Sequence, residues 1–298
     1  EINHDLDVSF IYEWNSSNRF GFVKKSRLKN NTSKDIEVNV LDGFQNILPY
    51  GVEEETQKKS SNLVDAYKKS ELETEVGLGI YALSSIIVDK AEPSEALKST
   101  IAWSLGIESP TYLLSSLQLD KFRKGQDIQQ EVDIKAEKGA YFICSKIELT
   151  PNSEKKWLFV ANVNQSISDI NQIKETIKNE TELEKIINNN IDLGTNRLIQ
   201  LVSSSDGVQL TADKLRNIRH FSNTLFNIMR GGIFDNNYEI QKTDFVKYIA
   251  LANRKVYKKK NEILEQLPET FTVSHLKNIA EHDEDKNFKR LCSFIFFN

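Results

Sequence analysis

Residues 41–51, LDGFQNILPYG, gather the side chains with most to offer a polar ligand. Asp42 supplies a carboxylate. Gln45 and Asn46 each pair a donor with an acceptor, the combination that reads sugar hydroxyls. Phe44 and Tyr50 stand among them. Asp42-Gly43 is also a turn dipeptide, and Pro49 with Gly51 punctuates again, so the run equally reads as the turn that ends a strand. Trp14, Trp103 and Trp157 each fall in a strand-like stretch. Exposed, such rings stack on the C–H faces of sugars. Buried, they are core, and the apolar pattern they share with their strands favours core.

Other chemistries find little support. His4, His220, His275 and His282 have no His or Cys neighbour at metal-ligand spacing. His220 reads as a packed or surface-bonded side chain. EHDEDKN (281–287) clusters carboxylates but lacks the Gly and terminal Glu of a calcium loop, so it reads as a solvated loop. RKVYKKK (254–260) reads as a solvated helix side, and Glu53-Glu54-Glu55 as a charged face. Gly77-x-Gly79 sits inside a β pattern, which marks a bulge or close approach rather than a phosphate cradle. No catalytic residue, metal ligand or cofactor is assigned.

The bulk numbers agree with a globular chain. Of 298 residues, 39% are hydrophobic and 28% charged. A net charge of −4 lacks the basic footprint of a nucleic-acid binder. No run of about 18 apolar residues exists to span a membrane. Cys144 and Cys292 form neither a disulfide framework nor a metal spacing. A reduced compartment is the mild preference, the cytoplasm ahead of the periplasm. The chain starts at Glu1 and ends LCSFIFFN, an apolar end that reads as the beginning of something that continues.

The elements that must position these residues change character near residue 165. VSFIYEW (8–14) alternates as a strand. In 20–43, Phe20, Phe22 and Leu28 mark one limb and Ile36, Val38 and Val40 the other, with NNTSKD as turn chemistry, so a β-hairpin is expected. Residues 72–89 and 96–106 form a second pair around AEPSE, and 128–164 a third set. Residues 53–70 are charged and suit a short helix crossing an edge. Strands joined by short polar turns predict antiparallel stacked sheets. Beyond residue 165, Ile170, Ile173 and Ile177 begin a helix, with Asp169 and Gln172 as capping box and an end near the NNN at 188–190. Leu215, Ile218, Leu225, Ile228 and Met229 mark a second helix, stopped by Gly231-Gly232. A third runs from Asp244 to Leu267, and a shorter piece begins near Val273. The expected fold is therefore α+β: a large antiparallel β-sandwich over 1–165, then a helical linker region over 166–298.

FVKKSRLKNNTSKDIEVNVLDGFQNILPYG, the later KGAYFICSKIELTPNSEKKWLFVANVNQS, and the helical stretches HFSNTLFNIMRGGIF and NRKVYKKKNEILEQLPETFTVSHL complete an order of parts. That order resembles the N-terminal region of bacterial proteins related to cellobiose phosphorylase. The resemblance covers most of the chain and implies a β-supersandwich, similar in shape to galactose mutarotase, joined by linker helices to an (α/α)6 barrel. It implies that the catalytic groups, and any use of inorganic phosphate, belong to the barrel, which would need several hundred more residues. In relatives the sandwich packs on the barrel, contributes to the dimer contact in some members, and lends a loop to the rim of the sugar pocket. This makes Asp42, Gln45, Asn46, Trp103 and the Arg230-Gly231-Gly232 loop the candidate substrate-side residues. The expected partners are an oligosaccharide, the chain's own catalytic barrel and a second copy, without nucleic acid or membrane. The alternatives are a stand-alone carbohydrate-binding or interaction module, and a mutarotase-like epimerase, which needs paired histidines that the strands lack.

Overall fold

The structure is a computed structural model that describes residues 1–85, 96–231 and 239–297, with side chains up to Ser293. The chain divides into two compact units, Glu1–Gly194 and Thr195–Asn298.

The first unit begins with strands β1 (Ile2–Asn3), β2 (Val8–Ser17), β3 (Gly21–Asn30) and β4 (Ile36–Ile47). Two short helices follow, α1 (Glu54–Lys59) and α2 (Ser61–Tyr67), in the charged stretch expected to carry one. Then come β5 (Lys68–Glu73), β6 (Leu78–Leu83), β7 (Ser99–Leu105), β8 (Thr111–Leu113), α3 (Leu119–Arg123), β9 (Asp133–Lys135), β10 (Gly139–Leu149) and β11 (Glu154–Gln165). They form an eight-stranded sheet, ordered β1-β2-β3-β11-β7-β6-β5-β9, and a three-stranded sheet, β4-β10-β8. The pairings in both are antiparallel. Inward residues of the two sheets, among them Leu28, Phe44, Tyr141, Ile143, Trp157 and Phe159, make one core. The expected α+β sandwich is thus observed.

The expected hairpin over 20–43 is not. β3 pairs with β2 and β11, whereas β4 pairs with β10 in the other sheet. The limbs are strands, but residues 31–35 carry the chain across the sandwich. β10 to β11 crosses back at Thr150–Ser153. The buried Asn30 ties both crossings: its amide nitrogen donates to the carbonyls of Lys34 (2.8 Å), Leu149 (3.1 Å) and Thr150 (3.0 Å). Turn residues say that the chain bends, not which sheet it re-enters. The hairpins that do form are β2–β3 and β5–β6. The latter divides the expected strand 72–89 at Gly77, where an added Cβ would lie 2.2 Å from the Tyr112 hydroxyl oxygen. The expected close approach is therefore present. AEPSE (91–95) lies outside the described residues.

Helices α4 (Ile167–Asn179) and the start of α5 (Leu183–Ser204) cover the outer face of the large sheet. Ile170, Leu183, Ile187 and Ile191 pack there with Phe20, Ile101, Trp103 and Val160. The capping box exists, but three residues earlier than expected: Ser166 is the N-cap and Asp169 its reciprocal partner. The helix expected to stop at Asn188–Asn190 instead starts anew after Glu182 and runs through the asparagines.

In the second unit, α6 (Lys214–Met229) follows the expected span, with Gly231 at φ 73°. Leu215, Ile218 and Met229 of its apolar stripe are exposed, and Thr224 is its buried residue. A two-stranded ribbon, β12 (Glu239–Gln241) with β13 (Thr270–Thr272), interrupts a region expected to be helical throughout. Between them the expected single third helix is three: α7 (Lys242–Ala252), α8 (Arg254–Lys259) and α9 (Asn261–Gln266). Asn253 breaks the first junction because its side chain accepts from the N–H groups of Lys255 and Val256 and so caps α8. The expected apolar face is nevertheless buried, with Phe245, Ile249, Val256, Leu264 and Leu267 in one core beside α10 (Val273–His282) and α11 (Lys286–Phe297).

Candidate functional site

Alternation along β2 and β3 assembles the site on the inner face of the large sheet. Register places Phe10 opposite Leu28, Tyr12 opposite Ser26, Trp14 opposite Lys24 and Ser16 opposite Phe22. β11 adds Trp157 beside Ser26 and Phe159 beside Lys24. From the facing sheet, β4 turns Ile36, Val38, Val40, Asp42 and Phe44 inward by the same period of two. Tyr12 is 48% exposed, and Trp14 and Phe22 are each 58% exposed, so three aromatic rings remain open on one face. Trp14 stacks on Phe44 at 5.5 Å between centroids, and Phe44 lies 5.5 Å from Phe159.

Beneath these rings lies a buried polar network centred on Asp42. One carboxylate oxygen pairs with Lys24 Nζ and accepts from the Gly43 N–H at 2.9 Å. The other accepts from Ser26 Oγ at 2.7 Å and Trp157 Nε1 at 2.9 Å. Lys24 Nζ also sits 5.4 Å from the ring centres of both Tyr12 and Phe159, a cation–π arrangement. Four donors saturate Asp42, so its carboxylate organises the floor and offers little to an incoming group. Asp42-Gly43, expected as a turn, lies inside β4; the turn comes at Tyr50-Gly51.

The other candidates are dispersed. Gln45 is exposed, and its amide donates to Ser116 Oγ at 3.1 Å. Asn46 stands at φ 59° where the β4–β10 register shifts, the position of a β-bulge. Trp103 is fully buried on the opposite, outer face of the sheet, edge-on to Phe20. Arg230 belongs to the second unit, caps α6 and places its guanidinium 5.3 Å from the Phe226 ring centre. Gly232 lies outside the described residues. Of the tryptophans, Trp103 and Trp157 are core as expected, and Trp14 is not. Sequence reasoning passed over Tyr12, Phe22, Lys24 and Ser26. Their signal was parity: each shares the inward set with a residue already singled out.

This face can stack and hold a ligand. Groups able to move protons are scarce. Burial pushes the hydroxyls of Tyr81 and Tyr141 well above the usual tyrosine range, and they donate to the Ala140 and Gly77 carbonyls, each at 2.6 Å. None of the four histidines lies in the two sheets of the first unit; His220 bonds the Asp206 carbonyl at 2.9 Å. No group of three or more His, Cys, Asp or Glu that could hold a metal occurs among the described residues. The two runs expected to be solvated partly are not. Lys260 pairs with the buried Asp283 at 2.6 Å, and Lys259 with Asp285 at 2.8 Å, which joins α8 to the start of α11. No helix among the described residues is long and apolar enough to cross a membrane.

Fold and site together define a class: an antiparallel β-sandwich with an open aromatic face, followed by a helical unit with its own core. Residues 234–293, from just before β12 into α11, match the family model of glycoside hydrolase family 149 insertion domain 1. That segment of the second unit is similar to a domain inserted in glycoside hydrolases of that family. No curated protein sequence matches the chain.

Proposed function

We propose that this chain is the sandwich-and-helices portion of a carbohydrate-active enzyme, resembling the glycoside phosphorylases and hydrolases, and that it acts as a non-catalytic scaffold. The observation that carries the reading is the match of 234–293 to a glycoside hydrolase insertion domain. The β-sandwich that precedes this segment suits the resemblance to the cellobiose phosphorylase group. On this reading the catalytic groups, any phosphate site and the oligosaccharide pocket lie in an (α/α)6 barrel outside these residues. Asp42, Gln45 and Asn46 then support that pocket from the sandwich, and a second copy is a further partner. Incubation of the chain with β-linked gluco-oligosaccharides, with and without inorganic phosphate, is expected to yield no sugar phosphate and no shortened product. Turnover by this chain would overturn the reading.

A second role is favoured by Tyr12, Trp14 and Phe22, whose rings stay open on adjacent strands. Sugar C–H faces stack on such rings. Trp14→Ala removes an exposed ring, so retarded migration of the chain in glycan-containing gels should be lost while the fold persists. Equal retardation of wild type and variant would refute glycan binding at this face. An epimerase built on paired histidines in a sheet groove gains no support from the histidine positions.

A further inference from the structure

Two side-chain polar atoms are buried without a hydrogen-bond partner among the described residues, Trp103 Nε1 and Asn188 Oδ1. Both residues line clefts on the outer face of the large sheet. The cleft at Trp103 opens between the sheet and α4 and has a volume of about 280 Å³. That is close to the lower limit of small-ligand sites (roughly 300 Å³) and far above one water's share of about 30 Å³. It holds Arg19, Asn162, Asp169 and Gln172 beside the apolar Phe20. Arg19 and Gln172 are exposed, and their side chains make no hydrogen bond among the described residues. Asp169 is fixed in the α4 capping box, accepting from the Ser166 N–H at 2.8 Å and pairing with its hydroxyl at 2.6 Å.

We propose that this cleft binds one neutral, monosaccharide-sized polyol, with a ligand oxygen accepting the Trp103 indole N–H. A buried donor left unpaired carries a penalty that a ligand oxygen relieves. One cation and one anion in the lining cancel, so neither a free anion nor a free cation is favoured. Amide groups that both donate and accept match hydroxyls, which also do both. Trp103 Nε1 presents no surface to solvent in this arrangement, so the lining must part for the ligand oxygen to reach it, while Arg19 and Gln172 in the lining supply side-chain donors to the ligand hydroxyls. The site lies on the opposite face of the sheet from the aromatic row and is independent of it.

The three indole N–H groups give three resolvable NMR signals in the nitrogen-15-labelled chain. Titration with D-glucose and myo-inositol should shift the Trp103 signal saturably, and inorganic phosphate should not. Trp103→Phe assigns the signal; Trp14→Phe and Trp157→Phe assign it by elimination if that variant fails to fold. Arg19→Ala and Gln172→Ala, at exposed positions, should weaken binding about tenfold at unchanged melting temperature, as loss of roughly one hydrogen bond requires. A Trp103 signal that no polyol moves, or that phosphate moves instead, would overturn the assignment. Movement of the Trp14 signal reports the aromatic face separately.

Discussion

Replacing Asp42 by Ala should unfold the sandwich long before it disturbs the second unit. The substitution strands the Lys24 ammonium, whose side chain is 9% exposed, and takes the acceptor from Ser26, Gly43 and Trp157. Removing one partner of a buried ion pair costs about 3–5 kcal/mol, because the remaining charge stays out of water. The orphaned donors are part of that same loss and do not add in full. Against a total stability of roughly 5–15 kcal/mol, this is about a fifth or more. At a urea dependence of about 2 kcal/mol per molar, the midpoint should fall by about 2 M. Trp14, Trp103 and Trp157 all lie in the first unit, so tryptophan fluorescence follows its unfolding alone. A companion, Lys24→Met with Asp42→Asn, removes both charges but keeps an acceptor oxygen. It should recover most of the loss, to within about 1–2 kcal/mol of wild type. A cost for Asp42→Ala below about 1 kcal/mol, the size of a surface pair, would refute the account of a sealed network.

Two further outcomes follow from local geometry. Gly43→Ala should lower the same fluorescence midpoint by about 1–3 kcal/mol or more, since the new Cβ would fall 1.9 Å from the Tyr141 carbonyl oxygen and backbone must move; an unchanged midpoint would show that β4 and β10 separate freely there. In the second unit, the Lys259 ammonium first, and then the N–H groups of Phe288 and Asn287, hold the Asp285 carboxyl below its usual range. Its stabilising effect is present above the unfolded aspartate pKa of about 3.9 and is lost as pH falls through the lower folded value. Asp285→Asn should therefore unfold more readily than wild type at pH 7 by helical circular dichroism, and the two should converge in strong acid; a gap that persists there would refute the ionic account.

The strands were legible because period two survives along each of them, and the aromatic and β-branched residues advertise it. The pairing was not. Asn30, Asn31 and Thr32 encode a bend, but the partner of β4 is β10, far along the chain, and a bend does not name it. Asp42 drew notice for its chemistry, and its place was readable from Ile36, Val38 and Val40, whose parity it shares. Its four donors come from β3, β4 itself and β11, and no local window contains them. Trp14 shows the opposite difficulty. It has the same strand pattern as Trp103 and Trp157, yet on β2, one strand in from the edge of the larger sheet, it stays open. In the helical unit, the apolar spacing from Phe245 to Leu267 marked the buried face, yet it could not reveal that Asn253 would cap a new helix.

β11 is the last strand of the sandwich to leave the ribosome, and it belongs in the middle of the larger sheet, between β3 and β7. Until Gln165 has been made, the nascent chain holds two half-sheets with unmatched edges, and none of the strands already made can close them. A shortened product ending before this strand would keep most of the apolar residues and lose the keystone. Quality control of such fragments would then begin with one late segment, EKKWLFVANVNQ.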